Sequence, residues 1–180
     1  MSNDDANTLS ARARSAIRDV PDFPKPGLMF RDITPLLADA SLLREVIAEM
    51  ARPFVHAGIT HVIAVESRGF LFGVPIAQLL NVAFVPARKP GKLPRATVDA
   101  SFALEYGTDT LSMHADAIDA QAQVLIVDDV LATGGTAAAV VKLVITCGGK
   151  VAGISVLSEL TALNGRSALN GSAFHTVVQY

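Results

Sequence analysis

The residues with the clearest chemical purpose lie in one run, VLIVDDVLATGGT, at positions 124–136. Four aliphatic residues, read as a buried strand, lead directly to Asp128 and Asp129. Ala132, Thr133, Gly134, Gly135 and Thr136 follow, and then an Ala-rich segment of helical character. A helix N-terminus offers unpaired backbone N–H groups and partial positive charge, and glycines let an anion approach the main chain closely. Adjacent strand residues point to opposite faces, so neighbouring Asp residues do not naturally grip one ion. They reach two adjacent hydroxyls of a sugar if the chain turns between them. The run therefore reads as a carboxylate pair for a ribose followed by a cradle for its phosphate. It is neither a Walker loop nor a dinucleotide fingerprint, since GxxxxGK[ST] and GxGxxG are both missing. For TGGT alone a helix cap and tight turn is the simpler account; strand, Asp pair and helix together point to a ligand site.

The elements that must position this run alternate along the chain. HVIAV (61–65) reads as a strand, followed by a Gly-containing turn and a helix ending near Leu80. VAFVPA (82–87) and VLIV (124–127) are further strands; residues 137–146 form a helix closed by CGG, and VAGISVL (151–157) is the next strand. Earlier, Leu42, Leu43, Val46, Ile47, Met50 and Phe54 share one helical stripe, with Pro53 in its last turn and Gly58 as the stop. Strands apolar on both faces and separated by helices imply an α/β fold around a mostly parallel sheet. In such sheets ligands sit beyond the carboxyl ends of the strands. Residues 87–107, ARKPGKLPRATVDASFALEYG, combine Lys, Arg, Pro and Gly with little periodicity and read as a functional loop.

Length and composition narrow the classes. A chain of 180 residues with 51% hydrophobic and 18% charged residues suits one sizeable domain, here 1–180. The formal net charge of −2 gives no electrostatic reason to expect nucleic acid, and no apolar run is long enough to span a membrane. The polar N-terminal stretch lacks a secretory apolar region. The single cysteine, Cys147, permits neither an intrachain disulfide nor a cysteine-cage metal site and fits a reducing cytoplasm. His56, His61, His114 and His175 show no metal-ligand spacing.

Taken with FPKPGLMFRDITPLL (23–37), ESRGFLFG (66–73), RKPGKLP (88–94), LEYG (104–107) and LSELTALNGR (157–166), the central run resembles the type I phosphoribosyltransferases, and among them the adenine phosphoribosyltransferases. The resemblance covers most of the chain from Pro21 onward. It implies a parallel sheet flanked by helices, an N-terminal tail and base-binding hood over about 1–37, and a flexible catalytic loop over about 87–107. It further implies transfer of the phosphoribosyl group of 5-phosphoribosyl-1-diphosphate (PRPP) to adenine, giving AMP and pyrophosphate.

Carried over by residue, the resemblance puts Asp128 and Asp129 on the ribose hydroxyls and Ala132, Thr133, Gly134, Gly135 and Thr136 on the 5′-phosphate. Ser67, Arg68 and Gly69 become the pyrophosphate loop, near which the family often has a non-proline cis peptide. Arg88, Lys89 and Lys92 suit a cationic lid over the pyrophosphate. Met29, Phe30, Arg31 and Val130 resemble the adenine pocket, with the base stacked between Phe30 and Val130. Glu105 matches the catalytic carboxylate, acting at the adenine ring. Mg²⁺ enters with PRPP rather than through a dedicated protein site, and a homodimer is the expected assembly. Phe102 stands where many members carry Tyr. Two other readings stay open at the level of sequence: a phosphoribosyltransferase for another purine base, and a non-catalytic sensor of PRPP or purines.

Overall fold

The protein is described here by a computed structural model covering residues 8–103 and 107–180. In chain order the elements are α1 (Leu9–Ala16), β1 (Arg18–Pro21), β2 (Met29–Asp32), α2 (Thr34–Ala38), α3 (Ala40–Ala51), β3 (His61–Val65), α4 (Gly69–Leu80) and β4 (Ala83–Ala87). There follow β5 (Thr97–Ala103), β6 (Thr108–His114), β7 (Gln123–Leu131), α5 (Gly135–Thr146), β8 (Lys150–Glu159) and β9 (Phe174–Gln179). Short 3₁₀ turns occupy Arg52–Phe54, Thr161–Leu163 and Gly165–Leu169.

Five strands form the central sheet in the order β4-β3-β7-β8-β9, and every pairing in it is parallel. The period-two alternation of side chains explains why its strands are apolar throughout. Ile63, Val65, Val124, Ile126, Ile154 and Val156 pack beneath α5 and the β5–β6 hairpin, against Val140, Leu143, Leu111 and Met113. Their neighbours Val62, Ala64, Leu125, Val127 and Leu157 face the other way, onto Leu36, Val46, Met50, Phe72 and Ile76 of the α2–α4 layer. Burying each such side chain contributes about 1.5–3 kcal/mol, so both faces of β3 and β7 are held firmly, and β7 is what carries the Asp pair.

The helix expected from Leu42 is α3, and its start is set by Asp39, whose carboxylate accepts from the Ser41 and Leu42 N–H groups at 3.0 Å each. Pro53 falls in the 3₁₀ turn that ends it, and Gly58, at φ +65°, turns the chain into β3.

Two features differ from the sequence expectation. Segment 87–107 is not irregular throughout: Thr97–Ala103 is a strand, paired antiparallel with Thr108–His114. Val98, Ala100 and Phe102 alternate with Thr97, Asp99 and Ser101, a half-buried period-two pattern that the neighbouring Lys, Pro and Gly obscure. Arg88 is joined to β6 by reciprocal main-chain bonds with Ser112, at 2.9 and 2.7 Å. The second difference concerns β7, which does not end at Val127. It stays in register with β8 through Asp128↔Val156, Val130↔Ser158 and Leu131↔Glu159, so no turn separates the two Asp residues. The first strand pair, β1–β2, forms a separate antiparallel hairpin over the edge of the site. Among the described residues no helix is long and apolar enough to cross a membrane.

Candidate active site

At the carboxyl ends of β3 and β7 the structure opens a cavity of about 500 Å³, within the range of small-molecule sites. Its walls bring together Ser67, Arg68, Lys89, Asp128, Asp129, Val130, the whole run Ala132–Thr136, and Phe30. A smaller cavity of about 170 Å³ adjoins it, lined by Met29, Phe30, Arg31, Val130 and Leu160, and it shares Arg68, Asp129 and Ala132 with the larger one. Residues quoted from separate stretches of sequence thus converge on two connected spaces. Glu105 lies outside the described residues.

The Asp pair is held by its own strand. Asp128 Oδ1 accepts from the Asp129 N–H at 2.9 Å, and the Asp129 carbonyl accepts from the Ser158 hydroxyl at 3.2 Å. Asp129 is only 4% exposed, and its carboxylate meets Arg68 Nε at 3.0 Å. Burial and the facing charge of Asp129 push the Asp128 carboxyl well above its ordinary value. Burial also raises Asp129, and the Arg68 guanidinium offsets part of that rise. In the free protein the pair is therefore poised to hold a proton, and hydroxyl donors arriving at it favour the ionised form.

Beyond Leu131 the chain turns through Ala132–Gly134 into α5. Gly134 takes a left-handed φ of +83° and occupies the N-cap, a conformation open to glycine at little cost. A second glycine lies beneath it. A Cβ on Gly134 would stand 2.4 Å from the Gly165 carbonyl oxygen, and one on Gly165 would stand 2.3 Å from that of Ala132. Gly165 is brought there by its neighbour: Arg166 donates through Nε and Nη2 to both oxygens of the buried Glu159, each at 2.6 Å, and Gln179 adds a bond at 3.1 Å. The hydrogen bonds from Arg166, aided by its charge, outweigh burial and hold the Glu159 carboxyl below its ordinary value. The segment LSELTALNGR thereby buttresses the turn that opens α5. Its sequence alone assigned it no such task, because the two glycines that touch are 31 positions apart.

The turn from β3 into α4 carries Ser67 and Arg68, and the peptide joining Glu66 to Ser67 is cis. Arg68 lies over the Phe30 ring at 5.2 Å as well as beside Asp129. Gly69 is not on the cavity wall; a Cβ there would stand 2.9 Å from Asp128 Oδ1 and 3.1 Å from the Val127 carbonyl oxygen.

Two of the three cations expected to line the site stand outside it. Arg88 turns to Glu66, giving bonds of 3.2 and 2.9 Å, and to the Lys92 carbonyl at 3.0 Å. Neither Arg88 nor Lys92 lines the larger cavity, whereas Lys89 does and pairs with Asp109 there. Burial acts to raise the Glu66 carboxyl, but the Lys89 N–H and the Arg88 guanidinium outweigh it and keep it below its ordinary value. Glu66 and Asp109 escaped the sequence reading because their partners lie 22 and 20 positions away. Phe102 is on the cavity wall, without the hydroxyl of the more usual Tyr.

The described residues contain no cluster of three or more His, Cys, Asp or Glu side chains suited to a metal. What the cavity offers is hard carboxylate oxygen from Asp128 and Asp129. That fits Mg²⁺ bound largely through the oxygens of a phosphorylated substrate, the usual habit of this ion.

Comparison with known proteins agrees with this geometry. The phosphoribosyl transferase domain model matches residues 35–168. The adenine phosphoribosyltransferase of Maridesulfovibrio salexigens is 51% identical over 166 residues, covering 92% of this chain and 98% of its own. Among solved structures, adenine phosphoribosyltransferase from Thermoanaerobacter pseudethanolicus superimposes with a TM-score of 0.93 at 47% identity, covering 96% of this chain and 100% of that one. The Saccharomyces cerevisiae enzyme, crystallised with adenine and an imino-altritol bisphosphate, gives 0.88 at 36% identity, covering 94% and 98%. On its sequence, its fold and these likenesses, the chain belongs to the adenine phosphoribosyltransferases, within the phosphoribosyl transferase domain family.

Proposed function

We propose that the two connected cavities are where this chain transfers the 5-phosphoribosyl group from PRPP to adenine, forming AMP and pyrophosphate. The observation that carries the proposal is the continuity of the Asp128–Asp129 pair with the glycine-opened start of α5 on one wall of one cavity. Although no turn separates them, Asp128 and Asp129 both line this cavity, and there they accept hydrogen bonds from the ribose diol. The backbone N–H groups of Ala132–Thr136, with the Thr133 and Thr136 hydroxyls, hold the 5′-phosphate at the positive end of α5. Adenine occupies the smaller cavity, stacked between Phe30 and Val130, with main-chain groups near Met29 and Arg31 reading its edge.

The bond that breaks joins the anomeric carbon to pyrophosphate, and the bond that forms joins that carbon to N9 of adenine. Positive charge builds on the ribose as the pyrophosphate departs with the bonding electrons. Fixed partners aligned with that charge separation lower the barrier. Ser67, Arg68 and Lys89 face the departing group, and Arg88 and Lys92 join them when the 88–92 turn closes over the cavity. Mg²⁺ carried by PRPP, which the Asp128 and Asp129 carboxylates would help to hold, would supply further charge neutralisation. Glu105 is assigned to N7 of adenine: as N9 attacks, the ring gives up its imidazole proton at N7 to the Glu105 carboxylate, and in AMP breakdown the same carboxyl returns it as general acid. Closure of the segment around residues 87–107 excludes water from a centre that hydrolyses easily. We infer a homodimer, supported by the family, and a cytoplasmic location, supported by the single cysteine.

The test is a steady-state comparison of adenine, hypoxanthine and guanine with PRPP and Mg²⁺. Adenine turns over fastest on this account, with Glu105→Ala slowing AMP formation while ribose 5-phosphate still binds. Faster turnover of guanine would transfer the chain to another base, and an unchanged Glu105→Ala rate would remove that residue from the chemistry.

A further inference from the structure

Beyond the cavities, Arg14 of α1 and Arg31 of β2 meet over the ring of Tyr180, just past β9. Their guanidinium carbons lie 4.4 and 4.0 Å from its centroid, well inside the reach of a cation–π contact. The ring rests on a fixed backbone: the Tyr180 N–H donates to the Glu159 carbonyl at 2.9 Å, and the Tyr180 carbonyl accepts from the Thr161 N–H at 3.0 Å. Arg14 also donates to the Gln179 carbonyl, and Arg31 pairs with Asp19 across the β1–β2 hairpin. The Tyr180 hydroxyl, by contrast, is buried and has no hydrogen-bond partner among the described residues. The ring face, not the hydroxyl, makes the attachment.

A two-stranded hairpin is marginal by itself, so β1–β2 keeps its place through contacts at its margins. Arg31 lines the smaller cavity together with Met29 and Phe30 of the hairpin and Leu160, which sits between Tyr180's two backbone partners. We propose that Tyr180 is a positioning residue for the purine: by gripping Arg31 from the edge of the sheet, it sets how far β2 stands from the Val130 and Leu160 side of the base cavity. The proposal rests on the reading that adenine occupies that cavity. Tyr180 lines neither cavity, and its ring meets Arg31 of the base cavity while its bonds to Glu159 and Thr161 are main-chain bonds that do not involve the ring, so a change of the ring acts on adenine more than on PRPP.

Tyr180→Phe, Tyr180→Leu and Phe30→Ala, measured beside the parent protein, test it. Tyr180→Phe keeps both Michaelis constants within about twofold, because the ring remains. Tyr180→Leu raises the adenine KM roughly five- to tenfold, with PRPP KM and kcat changed by less than about twofold. Hydrogen exchange of residues 18–32 quickens in Tyr180→Leu and not in Tyr180→Phe. An unchanged adenine KM in Tyr180→Leu, with a raised one in Phe30→Ala, overturns the positioning role and leaves the base site standing. An unchanged adenine KM in both overturns the base site and the positioning role together. Equal damage by Phe and Leu, or equal rises in both Michaelis constants, also overturns the proposal. Should Tyr180→Leu not fold, Arg14→Gln removes one cation from the ring and touches neither cavity; it is read by the same criteria, with a rise of about threefold expected.

Discussion

Arg68 Nε stands 3.0 Å from the Asp129 carboxylate, and its guanidinium also lies 5.2 Å above the Phe30 ring. One side chain from the turn after β3 thus touches the wall assigned to the sugar and the wall assigned to the base. Asp129 is nearly enclosed, so Arg68 is the charge that makes its ionised form tolerable there. Arg68→Gln is expected to lower stability by about 1–3 kcal/mol, read as the midpoint of denaturant unfolding, and to raise the PRPP KM more than the adenine KM. Equal stability and an unchanged PRPP KM would detach Arg68 from both tasks.

The Asp128 carboxyl, raised by burial and by Asp129, leads to a pH dependence of definite sign. Above its ordinary value of 3.8 the folded protein holds a proton that the unfolded chain has released. Stability attributable to this group therefore falls as pH rises from that value through the raised one. Asp128→Asn removes the fall, so the difference between parent and variant in thermal midpoint shrinks toward acid and grows in the variant's favour toward neutral pH. A flat difference would mean that Asp128 titrates normally.

Gly165 and Gly134 form the tightest backbone approach beneath the phosphate turn. Gly165→Ala pushes its new methyl into the Ala132 carbonyl and displaces the turn. The expected result is a loss of about 1–3 kcal/mol in stability together with at least about tenfold weaker binding of ribose 5-phosphate, a loss of about 1.4 kcal/mol. Adenine binding measured by calorimetry in the absence of PRPP changes less. Wild-type affinity for ribose 5-phosphate in this variant would show that the turn does not hold the phosphate.

Glu66 gathers the Arg88 guanidinium and the Lys89 N–H, fastening residues 88–92 to the turn after β3. Glu66→Gln keeps the shape and removes the charge. Hydrogen bonds to a charged group contribute about 1.5–3 kcal/mol, so the variant should lose about 1–2 kcal/mol, part of the loss being recovered by the amide. Hydrogen exchange around residues 88–92 should quicken. Exchange there identical to that of the parent would contradict the attachment.

Much of this site is legible in the residues alone, and the reason is physical. HVIAV and VLIV lie in strands buried on both faces, so they announce themselves without any partner. The Asp pair is conspicuous because two carboxylates at the end of a buried strand are costly unless something binds them. What escapes is whatever depends on pairing at a distance. Strand β9, FHTVVQ, has polar and apolar positions mixed, and only its pairing with β8 settles its conformation. Strands β5 and β6 carry Thr, Ser and Asp on the side away from α5, and the Lys- and Pro-rich stretch before them dominates the local pattern. Glu66, Asp109, Glu159 and Tyr180 acquire their tasks only from partners that the chain brings back from elsewhere. The turn imagined between Asp128 and Asp129 is the opposite case: hydrogen bonding to β8 overrides the local expectation and carries the strand on to Leu131.

The most direct test of the docking of the phosphoribosyl group is a crystal structure of the protein with AMP and pyrophosphate. The account predicts the ribose 2′- and 3′-hydroxyls within hydrogen-bonding distance of Asp128 and Asp129, the 5′-phosphate against the N–H groups of Ala132–Thr136, and the purine between Phe30 and Val130. A nucleotide bound away from the end of β7, or one whose phosphate lies outside the turn into α5, would contradict it.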